Sequence, residues 1–521
     1  VEIADSANIT TTAANGKNGT WLIDPHDFTI AASGGDISGQ ALATELGQGN
    51  VDIQSATGAQ GNVNVNDNVA WNANQLTLNA QNNININANL NASGRAKLAL
   101  EYGQGAVQAN NTSNYYLAKG VQVNLPAGQN FSAMLGSDGT TTQFTVVDSL
   151  GAAGSMTKND LQGINGNLSG NYVLGANIDA SATTGWNAGA GFTPIGKQTF
   201  GFTGIFDGLG HIISNLNIHL NSSAIDTGLF GNIAAGSLIQ NTVLSNATIQ
   251  GGIFSGGLVG FNEGGIVNNS SVTGSVTGTN IVGGLAGYSV GTVSNSYATA
   301  AVNGSQFDGG LIGANSGKVS YSYATGNIGN TTSDQVGGLI GENFGQVSDS
   351  YATGSVTGST RVGGLIGQNQ SSSINGVTID ATVSNSYATG KVAGSSQSGG
   401  LIGQYDSGTI SNSFYAVPPL TINPQIYAGP TLTINPQIIP LIPSALFFQQ
   451  KLNNRIKPGA GLLNKELGNS FNLVSKVEPL QSEGDKSGVA SRPVNLVPTN
   501  PSPDEQLLKF QGEVHEDEIQ P

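Results

Sequence analysis

The sequence predicts an all-β fold: a right-handed parallel β-helix, or solenoid, with a Pro-rich, largely disordered C-terminal tail. Three observations predict it. A Gly-Gly-Leu-x-Gly unit recurs at near-constant spacing. Between its copies, apolar residues alternate with Ser, Thr and Asn at the period of a strand. Of 17 prolines, 14 fall between Pro418 and Pro521, which leaves the repeats almost free of them.

The repeat is the strongest of these signals. Its copies begin at Gly256-Gly257-Leu258-Val259-Gly260 and Gly283-Gly284-Leu285-Ala286-Gly287. They continue with Gly309-Gly310-Leu311-Ile312-Gly313, Gly337-Gly338-Leu339-Ile340-Gly341, Gly363-Gly364-Leu365-Ile366-Gly367 and Gly399-Gly400-Leu401-Ile402-Gly403. Successive leucines lie 27, 26, 28, 26 and 36 residues apart. The wide last gap holds an insertion around Ser371 to Asp380, expected as a loop on one face. A weaker copy, Gly228-Leu229-Phe230-Gly231, precedes the array.

Each unit has short apolar runs separated by Gly, Asn and Ser. Leu311-Ile312 is too short for a helix, and Lys318 to Ala324 alternates with period two. Gly and Asn tolerate the positive φ that sharp corners require. One unit cannot bury its own apolar side. Stacked coils can, with about 4.8 Å between neighbouring strands. The recurring Leu, Ile, Val and Tyr then form axial columns, and Asn forms side-chain ladders.

Four regions follow from this pattern: 1–155, 156–235, 236–417 and 418–521. In the first, Leu76 to Ala80 and Ile84 to Ala92 alternate almost perfectly, which gives one face to a core and one to water. The second holds further strand-and-turn coils. Its segment Thr157 to Gln162, with Thr157 near an N-cap, is the one helix expected within the solenoid. The third is the repeat array. The fourth opens with a 12-residue repeat, Thr421 to Ile426 and Thr433 to Ile438. Its proline density ends the ladder after Val417 and predicts an extended linker, then a disordered charged end, with a short helix at Ser444 to Lys451.

Composition narrows the function. Charged residues are 9% of 521, against an ordinary share of about 25%. Gly numbers 76, yet 38% of residues are apolar, so order is expected rather than disorder. There is no Cys, hence no disulfide and no thiolate chemistry. Net charge is −15, and 8 of the 17 basic residues lie beyond Gln450. Nucleic acid is therefore not an expected partner. No apolar stretch reaches the roughly 18–20 residues of a membrane span. Because the chain opens at Val1 with neither Met nor a signal peptide, the export signal is expected outside it.

Candidate chemistry is sparse. β-Helices also host polysaccharide lyases and glycosidases, which need clustered carboxylates. Glu263, Asp308, Asp334, Glu342, Asp349 and Asp406 share no common repeat position and read as solvated turn residues. Asp207 with His211 is the best isolated pair, but reads as a tight turn and a strand residue. His26, beside Asp24 and Asp27, reads as a loop. Four histidines leave little room for a triad or a metal cluster. The Gly clusters lack the features of nucleotide loops and calcium repeats, although one loop-bound Ca²⁺ remains an alternative. No catalytic residue, metal or cofactor is assigned. Tyr297, Tyr323, Tyr351, Tyr387 and Tyr415 recur once per coil. They read as a buried or half-buried structural column. In the alternative, Tyr297, Tyr323, Tyr351 and Tyr387 face a ligand and stack on sugar rings. Ice binding would need aligned Thr rows, and Ala-Thr-Gly at one corner per coil does not supply them.

The Gly-Gly-Leu-Ile-Gly units resemble the GLUG motif of bacterial surface proteins. Leu161 to Leu216, with Phe202 to His211, resembles the segment that precedes such repeats. Gly19-Thr20-Trp21-Leu22-Ile23-Asp24-Pro25 through Ala99 resembles the haemagglutinin-type region of filamentous haemagglutinin-like exoproteins. The resemblance covers roughly residues 15 to 416. It implies a two-partner-secretion passenger, exported through an outer-membrane transporter and displayed at the cell surface. Its implied role is adhesion to host cells, matrix, glycans or other bacteria. That family's secretion domain, with its Asn-Pro-Asn-Gly-like motif, does not occur here. The expected function is a non-catalytic adhesin; the alternative is a carbohydrate-active β-helix.

Overall fold

The structure is a computed structural model that describes residues 20–23, 27–55, 61–374, 377–417, 421–422 and 427–428. The expected tail, the helix at 444–451, and the loop at His26 lie outside the described residues. One compact unit spans Val1–Thr431. Within it the predicted parallel β-helix is present.

A 15-stranded sheet runs from Thr20–Ile23 to Thr409–Ser411 and forms one face of every coil. In the repeat array three further faces complete each coil. The coil that begins at Lys318–Ser320 continues through Tyr323–Ala324, Asp334–Gly337 and Ile340–Asn343. Each of these strands pairs in parallel with its equivalent in the next coil, as Val319 with Val347, Tyr323 with Tyr351, and Ile340 with Ile366. The alternation seen in the sequence places Val267, Val293, Val319, Val347 and Val383 in one buried column. The six repeat leucines, Leu258 to Leu401, form another, each fully buried. Each leucine N–H from Leu258 to Leu365 donates to the leucine carbonyl of the next coil at 2.8–2.9 Å.

The chain direction reverses once within the long sheet. Gly128–Leu135 pairs in parallel with Lys97–Tyr102 but antiparallel with Thr142–Val147, which then pairs in parallel with Tyr172–Leu174. Phe131 and Phe144 sit opposite each other and both point into the core. The core changes faces there as well: the row of Phe144, Val146 and Val173 faces the earlier core and continues as Asp207, Gln240 and Asn268, while the later core takes Tyr172, Phe206 and Ile239 on the opposite face. Strand direction and core face reverse together while the stack advances the same way, so the coils keep one sense of winding.

Several local expectations are corrected. The segment at Thr157 is a turn, not a helix, with Lys158 at φ 69°. Asp160 organises it, accepting from Ser155 Oγ and the Gly163 N–H at 2.7 Å each, and only a 3₁₀ turn follows at Gln162–Gly166. The α-helix, α1, lies instead at Gly39–Leu46. Ser38 caps it by accepting the Ala41 N–H at 3.1 Å, and Ala41, Leu42 and Leu46 are buried. The insertion after Asn369 is a β-hairpin, Ser372–Ile374 with Val377–Ile379. Short strands continue beyond Val417, at Thr421–Ile422 and Tyr427–Ala428.

Candidate functional site

The repeat glycines serve close approach, not positive φ. The left-handed corners fall on Asn269, Asn295, Asn385 and Asn412, at φ 46–51°, and on Tyr321 and Asp349 at 50°. A Cβ on Gly310 would lie 2.2 Å from the Gly338 carbonyl oxygen, and one on Gly338 2.0 Å from that of Gly364. A Cβ on Gly341 would lie 2.6 Å from the carbonyl carbon of Phe307 in the preceding coil. Gly256, Gly283, Gly309, Gly337 and Gly363 would each strike a carbonyl oxygen at 1.8–2.1 Å. The motif is thus a bend whose two strands press backbone on backbone, with Leu as its inward anchor.

Beside the long sheet runs a buried hydroxyl ladder. The N–H groups of Ser270, Ser296, Ser322, Ser350 and Ser386 each donate to the serine hydroxyl of the next coil at 3.1–3.2 Å. Each receiving hydroxyl donates to a carbonyl two residues back, as Ser322 Oγ to Ser320 at 2.8 Å. The expected asparagine ladder is also present: Asn315 donates to Asn343 at 2.9 Å, and Asn343 to Asn369 at 2.8 Å.

The tyrosines form one stack. Ring centroids of Tyr297, Tyr323, Tyr351 and Tyr387 follow at 4.7, 4.8 and 5.0 Å, with planes within 6° of parallel. Phe414 continues it at 5.4 Å. The rings are half-buried and their faces are turned on one another. Burial pushes the Tyr323 and Tyr351 hydroxyls up to about 12. Tyr415 does not belong to this column. Its register partner is Ala388, so it points inward, and it lies against Gly400.

Two acidic residues are buried rather than solvated. Asp308 is fully buried, accepts the Gly304 N–H at 3.0 Å, and has its carboxyl pushed by burial up to about 7. Glu342 is 3% exposed and accepts from Gln370 Nε2 at 2.7 Å. Near Glu342, bonded by Gln335 and Gln370, lies a cluster of charged and amide side chains. Arg361 forms an ion pair with Asp334 and donates to Gln368 Oε1 at 3.0 Å. Asp406 accepts from Gln404 Nε2 at 2.7 Å and from Gln368. Burial alone would raise the Asp334 carboxyl, but hydrogen bonds from Arg361 and Thr360 hold it below its usual value. Each of these carboxylates is tied to an amide or a guanidinium.

Asp207 and His211 are also buried. Asp207 ends the strand Ile205–Asp207 and accepts from Tyr115 Oη, from Gln240 Nε2 at 2.7 Å, from Asn241 Nδ2 at 2.9 Å and from the Leu209 N–H at 2.8 Å. The tight turn at Asp207 is as expected. His211 lies in that turn, just before the strand Ile212–Ser214, and its Nε2 lies 3.0 Å from the Val123 carbonyl. Tyr115 and Val123 precede the hairpin at which strand direction reverses, so both residues tie the two stacks together. Among the described residues no group of three or more His, Cys, Asp or Glu could hold a metal ion. No described helix is long and apolar enough to cross a membrane.

With this geometry in place, a family match is informative. Residues 332–357 match the GLUG motif. These residues hold the GLUG bend at Gly337 to Gly341 and the following tyrosine strand, Tyr351–Ala352. Halomucin of Haloquadratum walsbyi is 40% identical over 168 residues, which is 31% of this chain and 2% of that protein. The chain thus spans a very small part of this relative's length. A solved structure from Bacteroides ovatus, named as an immunoglobulin A1 protease, covers 56% of this chain and 79% of its own at 17% identity. Its TM-score of 0.35 is too low to carry an argument.

Proposed function

We propose that this chain is the binding region of a secreted or surface-displayed adhesin, a non-catalytic solenoid that attaches to host cells, matrix, glycans or other bacteria. One observation carries the reading. From Thr292 to Ser411 the outward positions of the long sheet are hydroxyl and amide side chains except at Lys318, while the inward positions close into a packed core. Such a surface is built for display rather than for enclosing a reacting molecule. The GLUG motif and the halomucin-like stretch support a place outside the cell. Export through a two-partner outer-membrane transporter is the finer part of the proposal. A transporter gene beside this one supports it, and secretion that persists without such a transporter refutes it.

The rival reading, a carbohydrate-active β-helix, has the Asp334, Arg361, Glu342 and Asp406 cluster in its favour. The ties on each carboxylate count against it. Beads coated with the full chain are expected to be retained on cells, matrix proteins or glycans above uncoated beads. Retention equal to uncoated beads on all of these surfaces would sink the adhesin reading.

A further inference from the structure

From Thr292 to Ser411 the outer face of the long sheet is nearly uniform, whereas the coil before it carries Ile266 and Asn268 in the same rows. Its first outward row reads Thr292, Lys318, Gln346, Thr382 and Thr409, and its second reads Ser294, Ser320, Ser348, Ser384 and Ser411. The corner after each strand is Asn295, Tyr321, Asp349, Asn385 and Asn412. Within these five coils four positions depart from Thr and Asn: Lys318, Tyr321, Gln346 and Asp349. All four fall on two adjacent coils, and all four line one groove of about 390 Å³. Ser320 and Ser348 form its floor, with Lys318 and Gln346 on one side and Tyr321 and Asp349 on the other.

Tyr321 is the telling residue. It holds φ 50°, a left-handed conformation that suits Asn and is unfavourable for a bulky side chain. Burial does not explain the choice, because Tyr321 is 42% exposed. A strained residue that gains little from the core points to a role on the surface.

We propose that this groove binds a neutral oligosaccharide, with a pyranose ring stacked on Tyr321. This rests on the reading of the solenoid as a binding surface, and names its site and ligand class. An exposed aromatic ring supplies an apolar face with a polar tip. The serine floor offers one hydroxyl per coil, about 4.8 Å apart along the axis. Lys318, Gln346 and Asp349 add a donor, an amide and an acceptor for vicinal hydroxyls. One positive and one negative side chain flank the groove, so a strongly charged ligand gains nothing from it. An extended peptide is a poor fit, because the strands beneath already pair on both sides and leave no edge to extend.

The test uses the full chain and its Tyr321→Asn variant, which restores the residue found in other coils. Calorimetric titrations would use neutral hexasaccharides of β-linked glucose, α-linked mannose and β-linked N-acetylglucosamine, with a heparin hexasaccharide as the anionic control. The expected result is binding of at least one neutral probe, at least tenfold weaker in Tyr321→Asn. The variant's melting temperature should be unchanged or raised, so lost binding cannot be put down to unfolding. Equal binding by both proteins would overturn the groove and leave the adhesin reading standing. Binding of heparin alone, or of no probe, would also overturn it. Bead retention on cells then decides separately whether the adhesin reading survives.

Discussion

At Ser322 one hydroxyl does two things. It accepts the Ser296 N–H at 3.2 Å and donates to the Ser320 carbonyl at 2.8 Å. Ser322→Ala leaves a buried N–H without that acceptor, so a loss of about 1–3 kcal/mol is expected in denaturant unfolding. No loss would mean the ladder is decorative. Asp308 gives a pH signature. Its carboxyl is raised from 3.8 to about 7, so the folded chain keeps a proton that the unfolded chain gives up. The stability this contributes is present below about pH 3.8 and is lost as pH rises to about 7. Asp308→Asn is therefore expected to gain melting temperature relative to wild type across that window. Parallel curves for the two proteins would contradict the assignment. At this scale the sequence was legible in part. Gly341 was marked by its recurrence, but close backbone approach, not φ, is what demands it. Tyr321 carried a signal too, as a Tyr where other coils have Asn, visible only once the corners are aligned.

At the scale of elements, the tyrosine stack stabilises neighbouring coils against each other. Tyr323 has ring partners on both sides, at 4.7 and 4.8 Å. Tyr323→Ala breaks both pairs, and a loss of about 1–3 kcal/mol is expected at about 0.5–1.5 kcal/mol per pair. A change below about 0.5 kcal/mol, within the range of ordinary surface substitutions, would show the stack to be incidental. The strands of the repeats were legible because alternation and recurrence agree. Helix α1 was not, because Gly39–Leu46 is short and its cap, Ser38, is one serine among many. Thr157 misled for the related reason that Thr and Asp cap turns as readily as helices. Asp308 and Glu342 escaped because a single charged residue in a repeat column shows no periodicity of its own.

At the scale of the molecule, stability is a sum of coils and the contacts between neighbours. Removing residues 309–336, so that Gly309 is replaced in register by Gly337, is expected to leave a cooperatively folded chain. Removing one residue fewer shifts the next strand by one place and turns its apolar side to water. That shorter deletion should lower the melting temperature or abolish folding, and equal stability of the two would contradict the coil register. The reversal of strand direction near Gly136 was not legible at all, because strand direction leaves no trace in an alternating pattern. The proposed function drew in the sequence chiefly on the GLUG resemblance. The measurement that tests the central claim most directly follows retention and cleavage together. Polysaccharides would be passed over the immobilised full chain, and both bound material and new reducing ends recorded. Retention with no new reducing ends is expected. New reducing ends that scale with the amount of chain and vanish in Glu342→Gln would contradict it.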